Sequence, residues 1–207
     1  MGVFYFPRDF VFWTKVKNHE NIKKELLNLI DQHKGHKYEI LKNGVTSYDR
    51  EITDDEEDNL ILQNDEFLKE IVWNPINEMI DTVTPKMNFD SAYIAKAWYS
   101  KYESGGYVKY HAHEGCPKIV DNEVFYATLS LIYVLHDENE KNHTVFTSHV
   151  NSVSKDRIFH FETKTEPEIT EGSVILFPSS LLHKVDTIQK PGRIIISMNI
   201  DSSFTNT

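Results

Sequence analysis

The chain has 207 residues, a formal net charge of −10 and a single cysteine. That length supports a sizeable core without covalent staples, and one cysteine excludes an internal disulfide and fits a reducing compartment. The acidic balance argues against a broad, sequence-independent grip on nucleic acid, which needs clustered Lys and Arg.

The first stretch, MGVFYFPRDFVFW, is apolar but interrupted by Pro7, Arg8 and Asp9. It is too short and too broken for a signal peptide or a membrane span. Phe6 stands where a myristoylation site wants Ser or Thr. A soluble cytoplasmic protein with no membrane partner is expected. Helical patterns follow. NHENIKKELLNLIDQHKG places Ile22, Leu26, Leu29 and Ile30 on one stripe, with Gly35 as a stop. Thr53 to Glu56, TDDE, has the form of a capping box before a helix. NDEFLKEIVWNPINEMIDTV reads as two short helices or one kinked helix around Pro75, with Asn74 able to cap.

Near residue 90 the pattern changes. SAYIAKAWYSKY, GGYVKYHAH, VFYATLSLIYVLH, RIFHFET, SVILFP, LLHKVDT and GRIIISMNI are short, β-branched or aromatic, and separated by Gly, Pro, Asn and Asp. Many short strands without crossover helices predict antiparallel pairing in a barrel or jelly roll. The expected organisation is a helical N-terminal support over residues 1–90 and a β-barrel core over 91–207, in one structural domain.

Within KYHAHEG, His111 and His113 stand two apart, so a strand would point both to one face. Taken alone, that is as much an exposed strand as a metal site. About 70 residues on, EGSVILFPSSLLHKV carries His183 after a turn at Glu171-Gly172, and Arg193 follows ten residues later. A barrel can bring His183 opposite the first pair. The chain holds 18 Lys and only 4 Arg, so an Arg at this position asks for a reason. Guanidinium grips a carboxylate bidentately where ammonium does not.

These segments, AWY, GGYVKYHAH, LSLIYVL, EGSVILFPSSLLHKV and GRIIISMN, resemble the 2-oxoglutarate- and iron(II)-dependent dioxygenases in their prolyl-hydroxylase-like branch, over roughly residues 91 to 201. The resemblance implies a double-stranded β-helix. It also implies iron(II), 2-oxoglutarate and dioxygen as cofactor and cosubstrates, with ascorbate as an optional accessory. His111 and His183 would be metal ligands. Arg193 would bind the far carboxylate of 2-oxoglutarate, with Ser197, four residues along the same face, as its hydroxyl partner. Tyr99 matches a tyrosine that helps hold that end, and Tyr102 is its rival because the alignment slips by one residue in the Gly-rich turn. The substrate would be an unidentified peptide or small molecule, since fold and cofactor site do not fix it.

The sequence departs from that family where an Asp usually follows the first histidine, because His113 stands there. Three readings stay open: a three-histidine centre, a carboxylate from Glu114 or Asp121, or two ligands only. Glu114 falls on the opposite face of a regular strand. Cys116 reads as a near-site bystander, and His136, His143, His149 and His160 as loop and surface histidines. Tyr107 and Tyr110 are candidates for a substrate mouth. His183 as a hydrogen-bonded rim histidine and Arg193 as a salt-bridge partner are the plainer readings. A three-histidine cupin-type dioxygenase without 2-oxoglutarate, or a non-catalytic barrel that binds a partner, are the rival functions.

Overall fold

The computed structural model describes residues 1–5, 9–33, 35–48, 64–83, 87–113, 118–120, 123–125, 128–139, 143–150 and 157–206. Its centre is one ten-stranded sheet, ordered β1-β2-β10-β7-β12-β4-β11-β8-β9, with β3 also paired to β4. The strands are β1 Gly2–Tyr5, β2 Phe10–Lys15, β3 Leu41–Thr46, β4 Met87–His111, β5 Lys118–Val120, β6 Glu123–Phe125, β7 Leu129–His136, β8 Thr144–Val150, β9 Arg157–Glu162, β10 Ser173–Pro178, β11 Leu182–Val185 and β12 Arg193–Asn206. β5 and β6 form a separate two-stranded ribbon. Pairing is antiparallel throughout these strands.

The two ends of the sheet order curl toward each other. Phe4 on β1 stacks on Phe161 on β9 at 4.5 Å between centroids, and Trp13 on β2 stacks on the same ring at 5.6 Å. The result is the nearly closed jelly-roll barrel that the short-strand pattern predicts. Strand alternation divides its residues into two cores. On β12, Ile194, Ile196, Met198 and Ile200 face the helices. Ile195 faces the barrel interior with Ile132, Val134, Ile175 and Phe177. Arg193, Ser197 and Asn199 have the parity of Ile195, so the interior face of this strand carries the polar residues.

The first 90 residues are less helical than their pattern suggests. β2 lies between β1 and β10 inside the main sheet, and its VFW core is buried as deeply as any barrel strand. Its apolar run reads as a buried strand because both faces are covered, which hides the period-two alternation. α1 spans His19–Gln32 and buries Ile22, Leu26 and Ile30. α2, Asp65–Leu68, begins at Asn64, whose side chain accepts from the N–H groups of Glu66 and Phe67. A five-residue π turn, Lys69–Trp73, then leads into α3, Asn74–Val83. Asn74 therefore does not cap; it sits inside one helical path, with its N–H bonded to the carbonyl of Lys69. The wider turn accommodates Pro75, which lacks an N–H and crowds the carbonyl a turn earlier.

Two further expectations change. The Gly-rich turn before the histidines is a bend within the single long strand β4, where Gly105 takes φ +78°. Its N–H bonds to the carbonyl of Ile188, and the Ile188 N–H returns to Gly106. This bend passes β4 from β12 to β11. The segment around His149, read as loop, contains β8, pinned between β11 and β9. The capping box at Thr53 to Glu56 lies outside the described residues, as do Glu114, Cys116 and Asp121. Among the described residues, no helix is long and apolar enough to cross a membrane.

Candidate metal and cosubstrate site

β11 lies antiparallel to β4 with His183 opposite His111. His113 follows the end of β4, and its N–H donates to the carbonyl of Ser179 at 2.9 Å, tying it to the turn after β10. Three imidazoles from distant parts of the chain therefore converge. Ring centroids are 4.2 Å apart for His111 and His183, 5.1 Å for His111 and His113, and 5.0 Å for His113 and His183. One ring nitrogen from each lies within 4.8 Å of the others, close enough to share a metal ion.

Their hydrogen bonds select which nitrogen faces inward. The Nδ1 of His111 meets the carbonyl of Lys109 at 2.9 Å, and that of His183 meets the carbonyl of Leu181 at 2.9 Å. A carbonyl can only accept, so both Nδ1 atoms carry the proton and leave Nε2 with its lone pair. The Nδ1 of His113 meets Ser130 Oγ at 2.9 Å, and Ser130 meets Ser179 at 3.0 Å. All three imidazoles are held neutral. Burial lowers the pKa of His111. Burial, then the neighbouring His111, brings His113 to about 4, with Asn199 opposing. Burial and both other histidines push His183 well below its ordinary value. Neutral imidazole is the ligating form, and outer hydrogen bonds of this kind orient a ligand. Packing against Phe177 at 4.8 Å and Trp98 beside His113 at 5.6 Å fixes the rings further.

The second half of the site runs along β12. Arg193 is fully buried. Its Nη2 donates to Thr144 Oγ1 at 3.3 Å, its Nε lies 3.7 Å from Asp137 Oδ2, and its guanidinium carbon is 5.7 Å from the centre of the Tyr102 ring. Burial pushes its pKa down, while Asp137 and Tyr102 oppose the shift. Ser197 and Asn199 continue the same face, and Asn199 stands in register with Ser130, the partner of His113. One interior strand face thus leads from a buried cation to the histidine cluster.

Of the two candidate tyrosines, only Tyr102 is brought to Arg193, its register partner across the β4–β12 pair. Its burial pushes its own pKa up to about 12. Tyr99, three residues earlier, takes the opposite face of the strand and joins the helix-side core. Its hydroxyl donates to the carbonyl of His33 at 3.2 Å. Tyr110 is also directed away from the histidines: neighbouring His111 on β4, it accepts from Thr147 on the far side of β11 and β8. His136 ends β7 and pairs with Glu171 at 2.8 Å, and His160 meets Thr147 at 3.0 Å. The sequence reading missed Ser130, Asn199, Asp137 and Thr144. Only Asn199 left a signal, standing six residues beyond Arg193 and so on its face.

The donor set suits iron(II): three converging neutral nitrogens could bind the ion and would leave positions for a chelating acid and dioxygen. The buried Arg193 with Ser197 suits a distal carboxylate. Comparison with known proteins points to the same metal and cosubstrate. The family model described as "Putative 2OG-Fe(II) oxygenase" matches residues 96–199. No curated protein matches the sequence. Among solved structures, the chain is similar to viral collagen prolyl hydroxylase of Paramecium bursaria Chlorella virus-1 in complex with 2OG. The TM-score is 0.54 at 13% identity over 93% of this chain and 96% of that one. It is also similar to a prolyl-4-hydroxylase of Pseudomonas putida (TM-score 0.51, 10% identity, 93% and 91% covered). HygX of Streptomyces hygroscopicus, with nickel and 2-oxoglutarate bound, gives a TM-score of 0.58 at 7% identity over 96% of this chain and 84% of that one.

Proposed function

The chain belongs to the 2OG-Fe(II) oxygenases, and on that premise we propose that His111, His113 and His183 hold the iron and that Arg193, with Ser197 and Tyr102, holds 2-oxoglutarate. The protein is a 2-oxoglutarate-dependent iron oxygenase, an oxidoreductase. When bound, the iron with 2-oxoglutarate and dioxygen supplies the oxidising power to hydroxylate a C–H bond, with release of succinate and carbon dioxide. The chain's own contributions are binding, orientation and exclusion of water. The carbonyls of Lys109 and Leu181 hold the tautomer in which Nε2 of His111 and His183 keeps the lone pair that would bind the ion. Ser130 orients the third imidazole. The buried guanidinium sets the direction in which a dicarboxylate enters, because a charge-assisted bond is strongest where water is absent.

The observation that carries this reading is the convergence of three neutral histidines, two of them with Nδ1 held protonated by a carbonyl, beside a strand face that carries a buried Arg. The substrate is a peptide or a small molecule. The neighbours support either: two are named as prolyl hydroxylases, and HygX has also been crystallised with hygromycin B bound. A cytoplasmic location rests on the single cysteine, and weak nucleic-acid affinity on the net charge of −10. The test is an anaerobic titration of 2-oxoglutarate into iron(II)-loaded protein, following the visible charge-transfer band. A saturable band is expected, weakened at least about tenfold in apparent affinity by Arg193→Ala. Iron bound with no band overturns the reading.

A further inference from the structure

Arg193 does not wait for a cosubstrate without company. Asp137 stands directly after β7, its side chain only 4% exposed, and its N–H and both carboxylate oxygens have neighbours. The backbone N–H of Asp137 donates to Glu171 Oε2 at 2.9 Å. Its Oδ1 accepts from the N–H of Asn139 at 2.9 Å and from the Asn139 side chain at 3.0 Å. Its Oδ2 is the oxygen left facing Arg193 Nε, at 3.7 Å. Asn139 is itself anchored, donating to the carbonyl of Lys190 at 3.1 Å and accepting from the Lys190 N–H at 3.0 Å. The carboxylate is therefore built into place rather than swung in by chance.

Two physical consequences follow. A buried guanidinium stripped of its counter-charge is left as an uncompensated charge, so Asp137 stabilises the cosubstrate-free barrel. A second carboxylate arriving at the same guanidinium must share it, and two like charges around one buried cation repel.

We propose, resting on the assignment of Arg193 above, that Asp137 is the resident counter-ion of the cosubstrate anchor: it holds Arg193 oriented by its Nε edge and lowers the affinity of the pocket for the distal carboxylate of 2-oxoglutarate. Asp137 is a positioning residue that sets how much 2-oxoglutarate the protein needs before it is loaded. The pocket's selectivity for dicarboxylic over monocarboxylic keto acids is correspondingly smaller than an unshared Arg would give.

The test uses Asp137→Asn in full-length, iron(II)-loaded protein under anaerobic conditions. The probes are 2-oxoglutarate and 2-oxobutyrate, which chelates through the same keto acid but has no distal carboxylate. The charge-transfer band gives each affinity, and thermal unfolding of the metal-free protein gives the stability. The expected result is a lower melting temperature together with roughly tenfold tighter 2-oxoglutarate and unchanged 2-oxobutyrate. Asn139→Ala removes one of the two hydrogen bonds to Oδ1 and loosens Asp137 without removing its charge; it moves 2-oxoglutarate the same way by a smaller factor and carries the test if Asp137→Asn does not fold. Unchanged or weaker 2-oxoglutarate binding overturns the inference, as does tightening of both acids alike. A wild type that binds iron but shows no band with either acid overturns the site assignment itself, and the inference falls with it. A normal wild-type band with an unaltered variant overturns the inference alone.

Discussion

Two polar clusters in this protein look alike on distance. In one, nitrogens of His111, His113 and His183 lie within 4.8 Å of each other; in the other, ligand atoms of His19, Glu20 and Glu171 do the same. Their electrostatics differ. Around Glu171 the bonding capacity is spent. One oxygen takes Lys23 and His19, and the other takes the His136 ring and the Asp137 N–H. Burial works against that carboxylate's charge, yet the donors outweigh it and hold the pKa at about 2. His19 also meets the Tyr133 hydroxyl at 2.6 Å. This cluster clamps α1 to the turn before β10. The Nδ1 atoms of the triad bond two carbonyls and a hydroxyl rather than carboxylates, and at His111 and His183 this leaves the Nε2 lone pair unspent. A metal site differs from a structural knot in what remains unpaired, rather than in how close its ligands are.

The widest separation between the two clusters is expected from single truncations. His183→Ala should weaken iron(II) binding at least about 100-fold, read by metal titration, because on the proposed assignment it removes a ligand rather than an outer partner. Glu171→Gln should leave iron binding as it was. If the Glu171 variant loses iron and the His183 variant keeps it, the two clusters have been assigned the wrong way round. A sharper comparison comes from Ser130→Ala. It spares all three ligands but removes the hydroxyl that orients His113, so about tenfold weaker iron binding is expected. An unchanged affinity would place His113 outside the coordination sphere and revive the two-ligand alternative.

The smallest effect concerns stability. Glu171→Gln should cost about 1 kcal/mol, the charged hydrogen bonds being discounted for solvent screening, and lower the melting temperature by about 2–4 °C. The sign of its pH dependence follows from the depressed pKa. The folded value is about 2 and the ordinary value 4.5, so the contribution is fully present above 4.5 and is lost as pH falls from 4.5 toward 2. Wild type should lose stability across that window, and Glu171→Gln should lose less. Identical acid profiles would show that Glu171 is not the clamp.

Much of this was legible in one dimension, and the residues explain why. The short β-branched runs of β7 and β12, the stripe on α1 and the order of His111, His113, His183 and Arg193 are local compositions, periodicities or fixed spacings, which a chain carries whatever it packs against. The departure at His113 was likewise visible as a residue type. β2 was harder, because burial on both faces removes the alternation that marks a strand. Tyr99 and Tyr102 could not be separated by alignment, yet three residues along a strand is a change of face, and pairing with β12 settled which one meets Arg193.

What only the tertiary structure decided is who stands across the sheet. His183 reaches His111 because β11 pairs with β4; Ser130 reaches His113 because β7 lies beside β12 and β10; Asp137 reaches Arg193 because β7 ends where β12 begins. These neighbours are distant along the chain, the nearest pair 17 residues apart, and their contact depends on strand order and register, which no local pattern encodes. The sequence by itself determined the strands, the histidines and the lone well-placed Arg. The closing of the barrel determined which of them share a site.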